Sequence, residues 1–201
     1  MTESETILDK SSFVSELNKT LKAGGVIAFV TDTVWGLGCL PESKEGVDRI
    51  YEIKGRDRSK PLILMSDSIE KLTPYVKNIP PKAQELINKY FPGALTVILN
   101  KSDKTPNYMT SGKNTVGIRI PDNKFFKKLC AKIDGGVLAT TSANLSNHPS
   151  SKTYEEAKAS IGNLVDFVFK DYGEYCAGKE STVVIIEEDD MKILRLGNIN
   201  L

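Results

Sequence analysis

The segment Val26-Ile-Ala-Phe-Val30 is a continuous apolar run with no polar alternation. A strand of that kind must be covered on both faces, so the chain needs other layers on each side of a sheet. Residues 62–65, 95–99, 116–120, 137–140, 165–169, 182–186 and 192–196 read as further strands. Helical patterns fall between many of them. Val14, Leu17 and Leu21 stand at helical spacing, and Gly24-Gly25 closes that stretch. Residues 44–54 place Val47, Ile50 and Tyr51 on one side. Pro80-Pro81 opens a helix that stops at Phe91-Pro92-Gly93. Residues 125–133 read as another helix, and Thr153-Tyr-Glu-Glu156 matches a capping box that starts the last one.

Interleaved strands and helices favour α/β layers around one sheet. Asp189-Asp190, between the last two strands, predicts a hairpin turn and hence some antiparallel pairing. A mixed sheet with flanking helices is the expectation. With 201 residues and no linker or repeat, residues 1–201 read as one domain.

The formal charge is +1, from 27 basic and 26 acidic residues. No whole-molecule field would draw this chain onto a polyanion, so any anion must be held by a local cluster. Cys39, Cys130 and Cys176 are odd in number and widely spaced, which fits neither a disulfide framework nor a zinc site. Reduced thiols point to a reducing compartment. The polar, acidic start MTESETILDKSS does not read as a signal peptide. No apolar run approaches the roughly 18 residues of a membrane span. A cytoplasmic location with no membrane partner is expected.

Four segments could carry chemistry. The first, Thr31-Asp-Thr-Val-Trp-Gly-Leu-Gly38, follows the buried strand, where ligands of open α/β sheets sit. Its threonines offer hydroxyls, and Gly36 and Gly38 would let backbone approach a ligand. It reads equally as an ordinary glycine turn. The second, Lys54-Gly-Arg-Asp-Arg-Ser-Lys-Pro61, has four cations in seven residues, in a loop shaped by glycine and proline. Arginine forks and lysine point charges suit phosphate, although a charge run is usually just solvated. The third, Ala139-Thr-Thr-Ser-Ala-Asn-Leu-Ser146, sets small donors and acceptors after a strand. It suits a nucleotide lip or a helix cap. The fourth is Arg119, within Val-Gly-Ile-Arg-Ile-Pro121. A charge amid apolar residues calls for a carboxylate partner, from the protein or from a substrate. The lone His148 reads as a surface loop residue.

In this order, these segments together with Lys60-Pro-Leu62, Phe91-Pro-Gly-Ala-Leu-Thr96, Ser181-Thr-Val-Val184 and Leu194-Arg-Leu-Gly197 resemble the YrdC/Sua5 family of threonylcarbamoyl-AMP synthases. The resemblance runs from about residue 24 to residue 197. It implies a twisted mixed sheet with helices around a large concave cleft, in the short single-domain form. It also implies a nucleotidyltransferase. L-threonine, bicarbonate or carbon dioxide, and ATP with Mg2+ would become threonylcarbamoyl-adenylate and pyrophosphate. A downstream tRNA threonylcarbamoyl-transferase complex would use the product.

By the same resemblance, Lys54 and Arg56 are the catalytic residues. They clamp the ATP phosphates with Lys60, and Thr115, Ser142, Asn144, Ser150 and Arg195 add nucleotide contacts. Thr31, Thr33, Met65, Arg119, Thr140 and Ser181 form the threonine pocket, with Arg119 on the carboxylate. No protein metal site is implied. Trp35 stands where the family usually has tyrosine, and Met65 where many members have histidine. A second function class remains open. The basic cleft of this family also suits double-stranded RNA or tRNA, as a binding module without enzymatic activity.

Overall fold

The computed structural model describes residues 6–187 and 190–201. The strands are β1 (Ile27–Phe29), β2 (Gly36–Cys39), β3 (Ile63–Ser66), β4 (Leu95–Asn100), β5 (Thr115–Arg119), β6 (Val137–Ser142), β7 (Phe167–Val168), β8 (Thr182–Glu187) and β9 (Asp190–Arg195). They form one sheet in the order β7-β1-β2-β6-β3-β5-β4-β8-β9. The pairs β1–β7, β3–β5 and β4–β8 are parallel and the other five are antiparallel. The expected mixed sheet is present.

The α-helices are α1 (Ser11–Lys22), α2 (Lys44–Lys54), α3 (Ile69–Leu72), α4 (Pro81–Tyr90), α5 (Lys124–Lys132) and α6 (Tyr154–Ile161). Local chemistry explains their ends. Ser43 Oγ accepts from the Gly46 amide and caps α2. Gly55, at φ 55°, ends it in the left-handed region. Asn123 caps α5 through the Phe126 amide. Thr153 caps α6, with Glu156 reaching back to the Lys152 amide. Gly24, at φ 85°, turns the chain from α1 into β1. All three residues of β1 are buried, as an apolar run without alternation requires.

The structure departs from the sequence-based expectation at β2. Gly36-Leu-Gly-Cys39 is a fully buried strand between β1 and β6, not a turn. Its glycines make room for a ring. A Cβ on Gly36 would sit 2.5 Å from the Phe29 ring, and one on Gly38 would sit 3.1 Å from it. The glycines therefore let Phe29 lie across β2, where it also meets Phe126 at 5.1 Å between ring centroids. Asp189 of the expected hairpin turn lies outside the described residues. β8 and β9 do pair antiparallel, with Glu187 opposite Asp190.

Replacing Gly36 with alanine should overpack the core against Phe29, at a cost of about 1–3 kcal/mol. A urea titration measures it. The double variant G36A/F29L should recover part of the loss, because the smaller side chain vacates the contact.

Candidate functional site

A cleft opens at one end of the central strands, with about 750 Å³ of space counted out to its mouth. The connection from β1 to β2 supplies Thr31, Thr33 and Trp35. Met65 comes from β3, Arg119 from the end of β5, and Thr140 and Ser142 from β6. Glu180 and Ser181 enter just before β8, Arg195 closes β9, and Arg56 reaches in from the loop after α2. All six residues expected in an amino-acid pocket thus line one cleft: Thr31, Thr33, Met65, Arg119, Thr140 and Ser181.

Arg119 is 2% exposed, so its charge needs partners. Its Nη2 donates to Asp32 Oδ1 at 2.5 Å, its Nη1 to Thr33 Oγ1 at 2.8 Å, and its Nε to the Gly93 carbonyl at 3.0 Å. Burial pulls the guanidinium below the ordinary arginine range, and Asp32 opposes that pull. The partner sought in the sequence is therefore Asp32, three residues past the end of β1. A guanidinium has five N–H bonds, so two remain for a ligand. Thr31 Oγ1 donates to the Val34 carbonyl at 2.6 Å and lies 3.1 Å from Thr33 Oγ1. Thr31's hydrogen is spent on Val34, so in this pair Thr33 is the donor. Segment 176–178 clamps the same loop: the Gly178 amide and the Cys176 thiol both donate to the Thr33 carbonyl. Across the floor, Thr96 and Ser181 hydroxyls meet at 2.9 Å.

Lys54 corrects the sequence-based cluster. It is 3% exposed and is absent from the cleft lining. Its ammonium donates to the Ser142 carbonyl at 2.6 Å, the Asn144 carbonyl at 2.6 Å and Asn144 Oδ1 at 3.1 Å. Three donors meet three acceptors, so none is left for phosphate. Burial, then the charge of Arg56, pushes this lysine from the ordinary 10.5 down to about 7. Lys54 continues the buried α2 stripe of Val47, Ile50 and Tyr51. That spacing of i, i+3, i+4 and i+7 was a sequence signal for an inward position. Gly55 then reverses the chain, and Arg56 emerges into the cleft.

Arg56 donates to the carbonyls of Lys60 at 3.2 Å and Pro61 at 3.3 Å, which fold the basic loop back on itself. The Lys60 side chain is exposed and does not line the cleft. Ser142 does, and its hydroxyl donates to Asn144 Oδ1 at 2.6 Å. Asn144 sits behind it, donating to the Leu145 and His148 carbonyls. Thr115 begins β5, four residues and roughly 13 Å of strand from Arg119, outside the cleft. Ser150 is not in the lining but donates to Glu180, which is, at 2.7 Å. Asp32 and Glu180 are the two carboxylates that sequence reasoning did not single out. His148 is an exposed loop residue, and the three cysteines are unpaired. Among the described residues no cluster of three His, Cys, Asp or Glu side chains could hold a metal ion, and no helix is long and apolar enough to cross a membrane.

Comparison with known proteins follows the same lines. Residues 19–197 match the model of the Sua5–YciO–YrdC family, whose description reads telomere recombination. A threonylcarbamoyl-AMP synthase of Pyrococcus abyssi is 35% identical over 181 residues, covering 90% of this chain and 53% of that protein. One from Vibrio parahaemolyticus is 31% identical over 188 residues, covering 92% of this chain and 99% of that protein. The crystal structure of P. abyssi Sua5 complexed with L-threonine superposes with a TM-score of 0.83 at 32% identity, covering 94% of this chain and 55% of that one. This chain thus spans about half the length of the Pyrococcus protein and nearly all of the Vibrio one.

Two outcomes test the geometry. Asp32→Ala strands a buried guanidinium and should cost about 3–5 kcal/mol, read from urea unfolding. Lys54 sets a pH dependence. Its folded value is depressed, so between pH 7 and 10.5 the unfolded chain holds a proton that the folded chain has released. Stability from this group therefore rises with pH across that window, and the buried-charge penalty is complete below it. Relative to Lys54→Met, the wild type should gain stability from pH 7 to pH 9, read as the difference in urea midpoints.

Proposed function

Since this chain belongs to the Sua5–YciO–YrdC family, we propose that it is a threonylcarbamoyl-AMP synthase. It joins L-threonine, bicarbonate or carbon dioxide, and ATP into threonylcarbamoyl-adenylate, with release of pyrophosphate. The observation that carries this reading is the pair of guanidiniums, Arg56 and Arg119, in one cleft. A cleft with two separate cationic sites suits a carboxylate and a triphosphate held side by side.

In this reading threonine's carboxylate takes the two remaining N–H bonds of Arg119. Thr33, Thr140 and Ser181 surround the amino acid. Threonine's amine adds carbon dioxide, loses a proton and becomes a carbamate. A carbamate oxygen then bonds to the α-phosphorus of ATP as the bond to the pyrophosphate oxygen breaks, and pyrophosphate departs with the electron pair. The carbamate is already an anion, so that step needs no general base. The protein's share is positioning, and neutralising charge on the moving phosphates.

Arg56 and Ser142 face the triphosphate, with Lys60 on the exposed side of the same loop. Magnesium enters as part of the ATP substrate, held by its phosphates. Lys54 acts through the 142–144 lip, by holding its carbonyls in place. The product would pass to a transferase complex that modifies tRNA, and the site of action would be the cytoplasm.

Threonine-dependent pyrophosphate release from ATP, measured without RNA, tests the reading. The wild type should release pyrophosphate only when threonine and bicarbonate are both present. Arg56→Ala should lower that rate by about 100-fold or more, since it removes a charge aimed at the transition state. Intact release in the variant would sink the assignment of Arg56. Salt-sensitive RNA binding with no release would point instead to a binding module.

A further inference from the structure

We propose that Glu180 reads the ribose hydroxyls of the nucleotide, so that the cleft selects ribonucleoside over deoxyribonucleoside triphosphates. This rests on the reading of the cleft as an ATP site. Glu180 lines the cleft immediately before Ser181, on the wall formed by β8 and β9. Its Oε1 accepts the Ser150 hydroxyl at 2.7 Å, which joins that wall to the loop after β6. Arg195 is turned away to the Ser181 carbonyl, at 3.0 Å, and the Ser181 hydroxyl, at 3.2 Å. Among the described residues Glu180 takes part in no ion pair. The Ser150 hydrogen bond and its own backbone amide, with Arg195 and Lys152 nearby, hold its carboxyl below the usual glutamate range. It is therefore an acceptor-only anion in the wall of the cleft.

A carboxylate in the wall of the cleft repels the phosphates of ATP. Like charges in close contact repel strongly at the effective dielectric of a protein surface. The triphosphate must then lie away from Glu180, at Arg56 and Ser142. The part of ATP left to face Glu180 must be neutral and must donate hydrogen bonds. The vicinal 2′- and 3′-hydroxyls fit that demand, and a carboxylate is the usual reader of a ribose edge. The adenine amino group is the other neutral donor, and the test separates the two.

Isothermal titration calorimetry reads nucleotide binding. ATP, 2′-deoxy-ATP, 3′-deoxy-ATP and ITP are titrated into the wild type, E180A and E180Q. The wild type should bind ATP about 10-fold or more tighter than at least one of the deoxy analogues, as expected for a lost hydrogen bond to a charged group. E180A should reduce that ratio to about 2-fold or less, and isosteric E180Q should fall between, since an amide oxygen accepts without charge. A wild type that binds ATP and both deoxy analogues equally overturns the proposal while leaving the ATP site intact. So does an E180A variant that keeps the ribose preference, or one that loses only discrimination against ITP. A wild type that binds no nucleotide overturns the ATP reading itself and this proposal with it.

Discussion

One buried ammonium ties the rim of the cleft together. Lys54 ends α2 and is bonded to three oxygens of residues 142 and 144, at the end of β6. The reverse link exists too, because the Ser146 amide donates to the Lys54 carbonyl at 2.8 Å. Taking a charge out of water is expensive, and here three oxygens offset only part of that cost. The result is a lip whose backbone is fixed before any ligand arrives. Ser142 owes its position to that framework, and Trp35 shares it through the Ala143 amide, which donates to the Trp35 carbonyl at 2.7 Å.

A second constraint follows from charge. Three guanidiniums and one exposed lysine would make a simple anion trap. Asp32 and Glu180 turn that trap into a cleft with distinct ends. Asp32 neutralises Arg119 in part and fixes its plane, so the remaining N–H bonds point in a set direction. In the proposed reaction Glu180 keeps phosphate from the β8 wall, so the fold itself orients the two substrates against each other.

Much of this was legible in the sequence. Apolar runs marked eight of the nine strands, and Gly24-Gly25, Pro80-Pro81 and Thr153 marked helix ends. β2 escaped because two of its four residues are glycines, which carry no side-chain pattern. Their reason lies in Phe29, on the neighbouring strand, a relation that only pairing reveals. Lys54 was grouped with Arg56 by proximity in sequence, yet a one-residue turn at Gly55 sends the two side chains to different places. Arg119 announced its need of a partner, but not whether that partner was Asp32 or a ligand. Thr115 lies at the far end of β5 from Arg119, a separation that a list of motifs does not carry.

The strand order also bears on how the chain comes off the ribosome. β6 is the sole link between the β1–β2 hairpin and the β3-β5-β4 group. It spans residues 137–142, so two thirds of the chain must be synthesised before the sheet can join. A nascent chain shorter than that holds two strand groups with open inner edges, not a smaller version of the finished sheet. Both edges of that gap, β2 and β3, carry cleft walls. Those two walls can meet only when β6 pairs on both sides, and the β8–β9 wall, with Glu180, Ser181 and Arg195, follows later in the chain.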